Sequence, residues 1–560
     1  MNENRTKIEI ERAHELSGGP TFYPSWASFA EFFKDRCESS RDELFLVYQD
    51  TDADEFGRRA WTYGDFGEAV SKLANHLTTE LDLKAGDRVA TAMANVDSTV
   101  IAYFACWVAG LCAVPVSVAE SAERQRFIIE NSGAKVALAI PERYDPTAGL
   151  GADGLERVIT IDDALAASAS RPATYQGPSA PLDTDAFIVY TSGTTGAPKG
   201  VLLPAFNLIC DADAIAKWDG ISPGFTTMCV LPLHHVNGTI VTHVTPFYAG
   251  ATNVLISRFR SDRFWPIVAE ESVDAVSVVP TILEFLLEAD RSGEYPADPA
   301  GVEQLQFVVC GAGPLLVETA MAWETRFGIP IIHGYGLSET TCYNCHLPLD
   351  LADDERRHWL VDYGFPSIGC ALSHQEMAIL GPDGSEAAEG ERGEICIRGQ
   401  VVMKEYYKRP DANEEAFTHG WFHSGDEGFY HLDSDGQKFF FITGRLKELI
   451  IRGGVNLSPL EIDEALKSHP KVAFGMAIPF ANKWYGEEVA AYVVPRDGEE
   501  PTDAEILEHC RTHLDLKSRP KVVVFGTEVP YTTTGKPKRI ALAQKLADDL
   551  SPYRETQFKE

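Results

Sequence analysis

Residues 190–200 read YTSGTTGAPKG, a stretch that concentrates hydroxyl groups, glycines and one lysine between two apolar runs. The runs at 186–190 and 200–203 predict buried strands, so we expect a loop that joins two strands. The glycines permit positive φ, which lets consecutive backbone N–H groups converge on an anion, and Lys199 adds a positive charge. Lys199 does not follow a glycine at the spacing of a Walker loop. The stretch predicts a polyphosphate-binding loop of another kind, with a glycine-rich surface turn as the alternative.

The length and charge of the chain limit its possible partners. At 560 residues it is too long for one hydrophobic core, and about two to four domains are expected. The formal net charge of −34 argues against nucleic acid and anionic membranes, because both require Lys and Arg on the protein. An anionic ligand must then be held by local basic groups, so the lysines and arginines inside motifs are candidate ligand contacts.

One segment is apolar enough to raise the question of a membrane span. Residues 98–118 carry no charged side chain and approach the length of a span. Gly110 and Pro115 interrupt the segment, so we predict a buried helix and then a core strand that begins near Val114. Residues 1–7 are charged and no apolar stretch follows them, which predicts a cytoplasmic protein.

Most of the 11 cysteines lie in apolar runs, and we predict that they are reduced core residues. Cys342, Cys345 and His346 match the CxxCH pattern of haem attachment, and a lone CxxC pair is also a weak zinc signal. Neither alternative is favoured, because there is no export signal and a competing motif lies directly upstream.

The apolar pattern predicts an α/β fold. Residues 44–48 and 59–63 read as paired strands, followed by a helix to about residue 81. Strands and helices alternate over 88–139, as in an α/β layer. The stretch 142–182, rich in Ala, Pro, Gly and Asp, predicts a loose surface excursion.

Later apolar runs end in loops that carry polar groups. The runs 275–280 and 305–314 predict buried strands, and a third run ends at Tyr335. In open α/β sheets, ligands bind at the carboxyl ends of strands. Tyr335 could stack on a base, Ser338 could donate to a phosphate, and Glu339 could hold Mg²⁺, which prefers oxygen ligands.

Three further loops carry candidate residues. His234 and His235 end an apolar strand, where they reach a site or cap a turn. Asp426 lies in a tight turn and could accept both ribose hydroxyls or cap that turn. Beyond about residue 441 the character of the sequence changes, and the remaining hundred or so residues have the size of a minor domain. Lys536 lies in a turn near its end and, taken alone, reads as a solvated lysine.

Seven segments together resemble the adenylate-forming superfamily of acyl-CoA synthetases, carrier-loading adenylation domains and luciferases. They are YTSGTTGAPKG, LPLHHVNG at 231–238, YGLSETT at 335–341, GERGEICIRG at 390–399, WFHSGDEG at 421–428, TGRLKELIIRGGVNLSPLEIDEAL at 443–466 and TTTGKPKR at 532–539. They follow the superfamily's order and span nearly the whole chain, so chance agreement is negligible. The chain is most similar to free-standing carboxylate–CoA ligases.

The resemblance implies a large multi-subdomain N-terminal adenylation domain at 1–444, a hinge at 445–447 and a small mobile C-terminal α/β lid at 448–560. It implies ATP, Mg²⁺ and CoA as cofactor and co-substrates. The residues implied for ATP binding are Thr191, Ser192, Gly193, Thr194, Thr195, Lys199, Gly311, Ala312, Tyr335, Gly336, Ser338, Asp426, Arg445 and Lys536.

The resemblance also assigns roles in catalysis and substrate binding. The implied catalytic residues are Lys536, Glu339 as the Mg²⁺ ligand, Ser338 and His235. The implied acid pocket consists of His234, His235, Asn237, Val279, Gly334 and Cys342. Lys447 is implied as the hinge, and Gly453 and Gly454 as the CoA tunnel, which glycine leaves unobstructed.

The chain departs from the family pattern at a few positions. The family usually has an aromatic residue at the position of His234, Thr at Ser338 and Ser424, and an aliphatic residue at Pro537. The serines keep a hydroxyl, so we expect activity. The departure at His234 and the remaining pocket residues leave aryl and aliphatic acids both open.

Three hypotheses follow. The first is an ATP-dependent carboxylate–CoA ligase that makes an acyl-adenylate and pyrophosphate and then a CoA thioester. Lys447 favours free CoA, because carrier-loading domains more often have aspartate at the hinge. The alternative passes the acyl group to a separate carrier protein, an amine or another nitrogen nucleophile. A third hypothesis, a non-catalytic AMP or acyl-adenylate sensor, is disfavoured by the intact Glu339, Asp426 and Lys536.

Overall fold

The computed structural model describes residues 2–18, 21–52, 57–140, 154–191, 198–296, 299–531 and 536–558. Its α-helices are α1 (Asn2–Ala13), α2 (Phe29–Ser39), α3 (Tyr63–Thr79), α4 (Asp97–Val108), α5 (Ala122–Ser132), α6 (Ile161–Ser168), α7 (Ala205–Trp218), α8 (Thr245–Ala249), α9 (Ser261–Glu270), α10 (Pro280–Arg291), α11 (Val317–Phe327), α12 (Asp353–Val361), α13 (Pro410–Ala416), α14 (Pro459–Lys467), α15 (Asp503–His513), α16 (Arg539–Lys545) and α17 (Ala547–Leu550). A π-helix spans Asn237–Val244, and 3₁₀ turns span Ser338–Thr340, Leu446–Glu448 and Ser551–Tyr553.

The strands form three sheets. They are β1 (Leu44–Asp50), β2 (Gly57–Thr62), β3 (Arg88–Ala92), β4 (Cys112–Pro115), β5 (Val136–Ala139), β6 (Arg157–Thr160), β7 (Asp185–Thr191), β8 (Lys199–Pro204), β9 (Thr226–Cys229), β10 (Thr252–Ile256), β11 (Ala275–Val278), β12 (Phe307–Cys310), β13 (Ile331–Tyr335), β14 (Cys345–His346), β15 (Ser367–Ala371), β16 (Gln375–Leu380), β17 (Gly393–Gly399), β18 (Glu405–Tyr406), β19 (Phe417–Thr418), β20 (Trp421–Leu432), β21 (Lys438–Arg445), β22 (Ile450–Arg452), β23 (Val455–Leu457), β24 (Val472–Asn482), β25 (Gly486–Pro495) and β26 (Val522–Phe525).

The first sheet has the order β16-β17-β20-β21-β15-β14-β13-β12-β11-β9-β10-β1-β2, with β19 paired to β20. Strands β1, β10, β9, β11, β12 and β13 are parallel neighbours, so their carboxyl ends meet at one edge. The loops after β9, β11, β12 and β13 carry predicted site residues. The chain therefore brings these loops together at the edge where open α/β sheets bind ligands.

The second sheet has the order β18-β8-β7-β4-β3-β5-β6, and the third has β23-β22-β25-β24 with β26 parallel to β25. The largest hydrophobic core contains residues of the first two sheets and of helices α2, α3, α4 and α7. Phe45, Phe66, Phe104 and Phe247 are fully buried there, with ring centroids 4.7 to 6.2 Å apart. The third sheet has its own cores.

Most of the predicted elements are present. The paired strands β1 and β2, the helix α3, and the buried helix α4 followed by the core strand β4 confirm the predictions for these segments. No helix in the described ranges has the length and apolar character that a bilayer crossing needs. All 11 cysteines are free, and all but Cys37 are buried, as predicted.

The loose excursion predicted for 142–182 is wrong over part of its length. Residues 157–160 form β6, which pairs in parallel with β5, and 161–168 form α6, which packs on α3. β6 is half-exposed at the sheet edge, so its apolar pattern is weak. Residues 142–153 of this stretch lie outside the described ranges.

Candidate active site

Strands β7 and β8 flank the predicted phosphate loop. They pair antiparallel, with Thr191 opposite Lys199, which confirms the expected strand–loop–strand arrangement. The Lys199 ammonium lies 4.6 Å from the centre of the Tyr406 ring, a cation–π contact. The loop residues Ser192, Gly193, Thr194 and Thr195 lie outside the described residues.

Glu339 lies on the 3₁₀ turn that follows β13. Its Oε1 accepts a hydrogen bond of 2.8 Å from the Tyr406 hydroxyl, and its backbone carbonyl accepts one of 2.7 Å from Met403 N–H. Burial and the charge of Glu339 raise the pKa of Tyr406, so Tyr406 stays protonated and remains a donor. Tyr406 thereby links Lys199 to Glu339.

Asp426 lies on β20, directly opposite Arg445 on β21. The Tyr335 hydroxyl donates to Asp426 Oδ2 at 2.7 Å, and Arg445 Nε lies 3.3 Å from Oδ1. Burial raises the pKa of Asp426, against the opposing effects of Arg445, Tyr335 and Lys536. Sequence motifs about 90 residues apart are thus joined in one cluster, in which the carboxylate and the phenol are buried and the guanidinium is half-exposed.

A network behind Asp426 fixes the backbone of β20 around it, where the sequence predicted a tight turn and the structure has a continuous strand. Glu394 accepts hydrogen bonds from Gly425 N–H at 2.8 Å and from His423 Nδ1 at 2.7 Å. Ser424 Oγ accepts from Asp426 N–H at 3.0 Å. The donor atoms of Glu394, Cys396 and His423 lie within 4.8 Å of one another, a spacing that a metal ion could use. Because Glu394 and His423 already satisfy each other, we interpret the group as support for the stretch of β20 that carries Asp426.

Lys536 of the carboxyl-terminal segment lies near these groups. Burial, helped by the positive charge of Arg445, lowers its pKa to about 8, and Asp426 and Glu339 oppose that shift. The pKa of His235 is lowered mainly by burial, next by His234 and then by the positive charge of Lys536. The structure therefore brings together Glu339, Asp426 and Lys536 with the second histidine.

Contacts between α14 and α11 hold the carboxyl-terminal segment against the rest of the chain. The Glu464 carboxylate accepts hydrogen bonds from Val317 N–H at 3.1 Å and Glu318 N–H at 3.2 Å, at the amino-terminal end of α11. Carboxylates are stabilised there by the unpaired N–H groups and the helix dipole. Arg496 also pairs with Glu318 at 3.2 Å.

His234 and His235 lie in the loop after β9, with ring centroids 4.3 Å apart. Their Nε2 atoms are buried without a hydrogen-bond partner in the described part of the chain. Burial lowers the pKa of His234 to about 4 and that of His235 well below its usual value, so both rings are neutral near pH 7. Each ring can therefore offer one N–H donor or one acceptor to a ligand.

The other predicted pocket residues lie at the same edge of the first sheet. Val279 directly precedes α10, and Gly334 belongs to β13. Asn237 begins the π-helix and Cys342 lies in the loop before β14, and both are buried. Asn237 Nδ2 donates to the Tyr343 hydroxyl at 3.0 Å. Tyr343 was not among the predicted site residues, and its contacts with Asn237 cannot be read from the sequence.

Four predicted nucleotide contacts lie in the segments that follow β12 and β13. Gly311 and Ala312 follow β12, and Ala312 has φ of 61°. A Cβ atom at Gly336 would overlap the carbonyl oxygen of Cys342, so only glycine fits there. Ser338 begins the 3₁₀ turn that carries Glu339.

The predicted hinge and tunnel residues follow Arg445 along the chain. Lys447 is exposed on a 3₁₀ turn, with Nζ 3.1 Å from Glu415 Oε1. Gly453 and Gly454 form the two-residue turn between β22 and β23, with φ of 59° and 80°. Because φ is positive at both positions, the turn itself favours glycine there, whether or not a ligand binds.

Comparison with known proteins identifies the family. A family model described as AMP-binding enzyme matches residues 33–407, and one described as AMP-binding enzyme C-terminal domain matches residues 461–536. The chain belongs to the AMP-binding enzyme family. The predicted superfamily, its α/β fold and the class of enzyme, an AMP-forming acid–thiol ligase, are confirmed.

Relatives in this family match nearly the whole chain. Sulfoacetate–CoA ligase of Cupriavidus necator is 34% identical over 511 residues, which cover 90% of this chain and 94% of that protein. Oxalate–CoA ligase of Arabidopsis thaliana is 32% identical and covers 88% of this chain and 95% of that protein. ATP-bound MatB from Rhodopseudomonas palustris superimposes with a TM-score of 0.82 at 25% identity, over 93% of this chain and 99% of that one. Apo MatB gives 0.72 over the same shares, so the chain is nearer to the ATP-bound form.

Proposed function

We propose that this member of the AMP-binding enzyme family joins a carboxylic acid to CoA in two steps, and that Lys536 is the catalytic lysine of the first step, the adenylation of the acid. The observation that carries the proposal is the convergence of Lys536 on Glu339, Asp426 and Arg445. The domain division at residues 444 and 448 and the individual residue roles are parts of this proposal.

In the first step a carboxylate oxygen attacks the α-phosphorus of ATP and pyrophosphate leaves. Both reactants are anionic, so the transition state gathers negative charge that cations and N–H groups must offset. Lys536 would supply one positive charge and Lys199 another, at the end of the phosphate loop. Asp426 would accept the ribose hydroxyls and Tyr335 would stack on the adenine, with Gly311 and Ala312 on the other face.

Glu339 would hold Mg²⁺. Its carboxylate offers the oxygen ligands that Mg²⁺ prefers, and Tyr406, which engages Oε1, orients the group. When bound, the ion would neutralise phosphate charge. The Ser338 hydroxyl next to Glu339 would donate to the α-phosphate.

His235 and the neighbouring pocket residues would hold the acid. Because His235 is neutral, its ring N–H can donate to the attacking carboxylate without forming an ion pair that would weaken it as a nucleophile. His234, Asn237, Val279, Gly334 and Cys342 would line the rest of the pocket.

In the second step the CoA thiol sulfur attacks the acyl carbon, AMP leaves and the thiol proton is released. Lys536 would cover the adenylating site during the first step, so the thiol would need another approach. We propose that the lid rotates about Lys447 and brings the turn at Gly453 and Gly454 to the pantetheine tunnel. The eleven free thiols of the chain fit a reducing, cytoplasmic setting.

Pyrophosphate release measured across a panel of acids, with and without CoA, tests this proposal. Sulfoacetate and oxalate, the acids in the names of two relatives, belong in the panel with aryl and longer aliphatic acids. We expect ATP cleavage to depend on one class of acid, and a thioester to form when CoA is added. Acid-dependent cleavage with no thioester, but with transfer to a carrier protein or an amine, would contradict CoA as the acceptor.

A further inference from the structure

Tyr343 lies directly behind the proposed acid pocket and is 2% exposed. A Cβ atom added at Gly311 would lie 2.5 Å from the Tyr343 hydroxyl oxygen, and one added at Gly334 would lie 3.0 Å from its Cε1. The ring therefore lies against the backbone at the ends of β12 and β13. Tyr343 fills the space beside Gly311, and it shares the space beside Gly334 with His346, whose Cδ2 would lie 2.3 Å from a Cβ atom there.

Hydrogen bonds hold the Tyr343 ring in place. Its hydroxyl accepts from Asn237 Nδ2 at 3.0 Å, and Asn237 Oδ1 accepts from Ser277 Oγ at 2.7 Å. The Tyr343 backbone carbonyl accepts from Gln375 Nε2 at 3.0 Å. These partners are buried, so a movement of the ring would leave polar groups unsatisfied in the interior. The ring is a fixed wall of the pocket.

A buried polar pair packs against the ring. The His346 ring packs edge-on against Tyr343 with centroids 4.3 Å apart, and His346 Nδ1 lies 2.9 Å from Asp219 Oδ1. Both residues of this pair are buried. An aliphatic chain that passed Tyr343 would have to displace a packed ring and would meet polar groups in place of apolar ones.

From this geometry we propose that Tyr343 sets the length of the acid, so that the enzyme takes short carboxylic acids. His234 and Asn237 are polar residues of the proposed pocket, and they favour a polar far end of the acid over a methyl group. This inference rests on the proposed function, because it takes the acid to lie between His235 and Gly334. It adds the class of acid and the residue that selects it.

Chain-length profiles of three full-length proteins test the inference. Wild type, Tyr343→Ala and Tyr343→Phe are compared on straight-chain acids from acetate to decanoate, and on dicarboxylic acids of matching length, by pyrophosphate release. We expect wild-type kcat/KM to fall at least about tenfold beyond its best short acid, as when a group is forced into a packed interior. In Tyr343→Ala we expect a gain of about fourfold for each further methylene that the new space buries. Tyr343→Phe keeps the ring and should keep the length limit.

Each outcome separates this inference from the proposed function. An unchanged length profile in Tyr343→Ala, or a wild type most active on decanoate, overturns the inference while acid-dependent ATP cleavage still supports the proposed function. A wild type that cleaves ATP with none of these acids overturns the inference. If it also cleaves no ATP with any acid of the wider panel, aryl acids and sulfoacetate included, the proposed function is overturned as well. Thermal melting shows whether Tyr343→Ala folds. If it does not, Tyr343→Leu replaces it and is judged by the same outcomes.

Discussion

Replacing Lys536 with alanine removes one positive charge from the adenylating site. The pKa of Lys536 is lowered to about 8, so at pH 7 about nine-tenths of these side chains carry the charge. A unit charge about 4 Å from the α-phosphate, at an effective dielectric of about 20, contributes about 4 kcal/mol. That energy corresponds to a rate loss of roughly a thousandfold in the first step.

Two assays separate the steps for this variant. Pyrophosphate exchange reports acyl-adenylate formation, and thioester formation from a supplied acyl-adenylate reports the second step. We expect Lys536→Ala to lose exchange by about a thousandfold and to keep most of the second activity. Lys538→Ala is the matched control, because Lys538 is exposed on the same segment. Lys536→Arg keeps the charge and should recover part of the exchange. Equal loss of both activities in Lys536→Ala would refute the reasoning.

Three further predictions concern the same lysine and the carboxyl-terminal segment. Lys536 acts as the cation, so kcat/KM for ATP should fall as pH rises through about 8, the pKa that burial and Arg445 give this lysine. Lys536→Arg should remove that fall. Identical pH profiles for the wild type and this variant would count against Lys536 as the titrating cation. Glu464→Ala removes the hydrogen bonds to the amino-terminal end of α11, so we expect pyrophosphate exchange to fall about tenfold. Thioester formation from supplied acyl-adenylate should be unchanged. Glu461→Ala on the same helix is the control. Lys447→Pro fixes φ at the proposed hinge and should slow the thioester step more than pyrophosphate exchange. Lys447→Ala loses only an exposed ion pair and should have nearly wild-type activity. An unimpaired thioester step in Lys447→Pro would argue against rotation at this residue.

Much of the fold follows from local apolar patterns. The strands on each side of the phosphate loop are buried apolar runs, and the ends of β11, β12 and β13 place polar loops at one sheet edge, as their sequences predict. The strand β6 could not be predicted in this way, because it is an edge strand whose residues are half-exposed. Its parallel pairing with β5 decides its structure, and that pairing is not encoded in its own composition.

The candidate site was predictable where a motif carries its own chemistry and unpredictable where partners come from distant parts of the chain. The Tyr406 hydroxyl donates a hydrogen bond to Glu339, which lies 67 residues away in the sequence, and no pattern around Tyr406 indicates that contact. Tyr343 follows directly after a predicted pocket residue, yet its place against Gly311 and Gly334 depends on how β12 and β13 end side by side. Such contacts arise from the topology of the sheet.

Analysis of the products of ATP cleavage tests the central claim most directly. The account predicts that the purified full-length protein converts ATP to AMP and pyrophosphate in equal amounts, and only when a suitable carboxylic acid is present. Phosphorus NMR of the reaction mixture distinguishes these products from ADP and phosphate. ADP with phosphate, or cleavage that proceeds equally without any acid, would contradict the account.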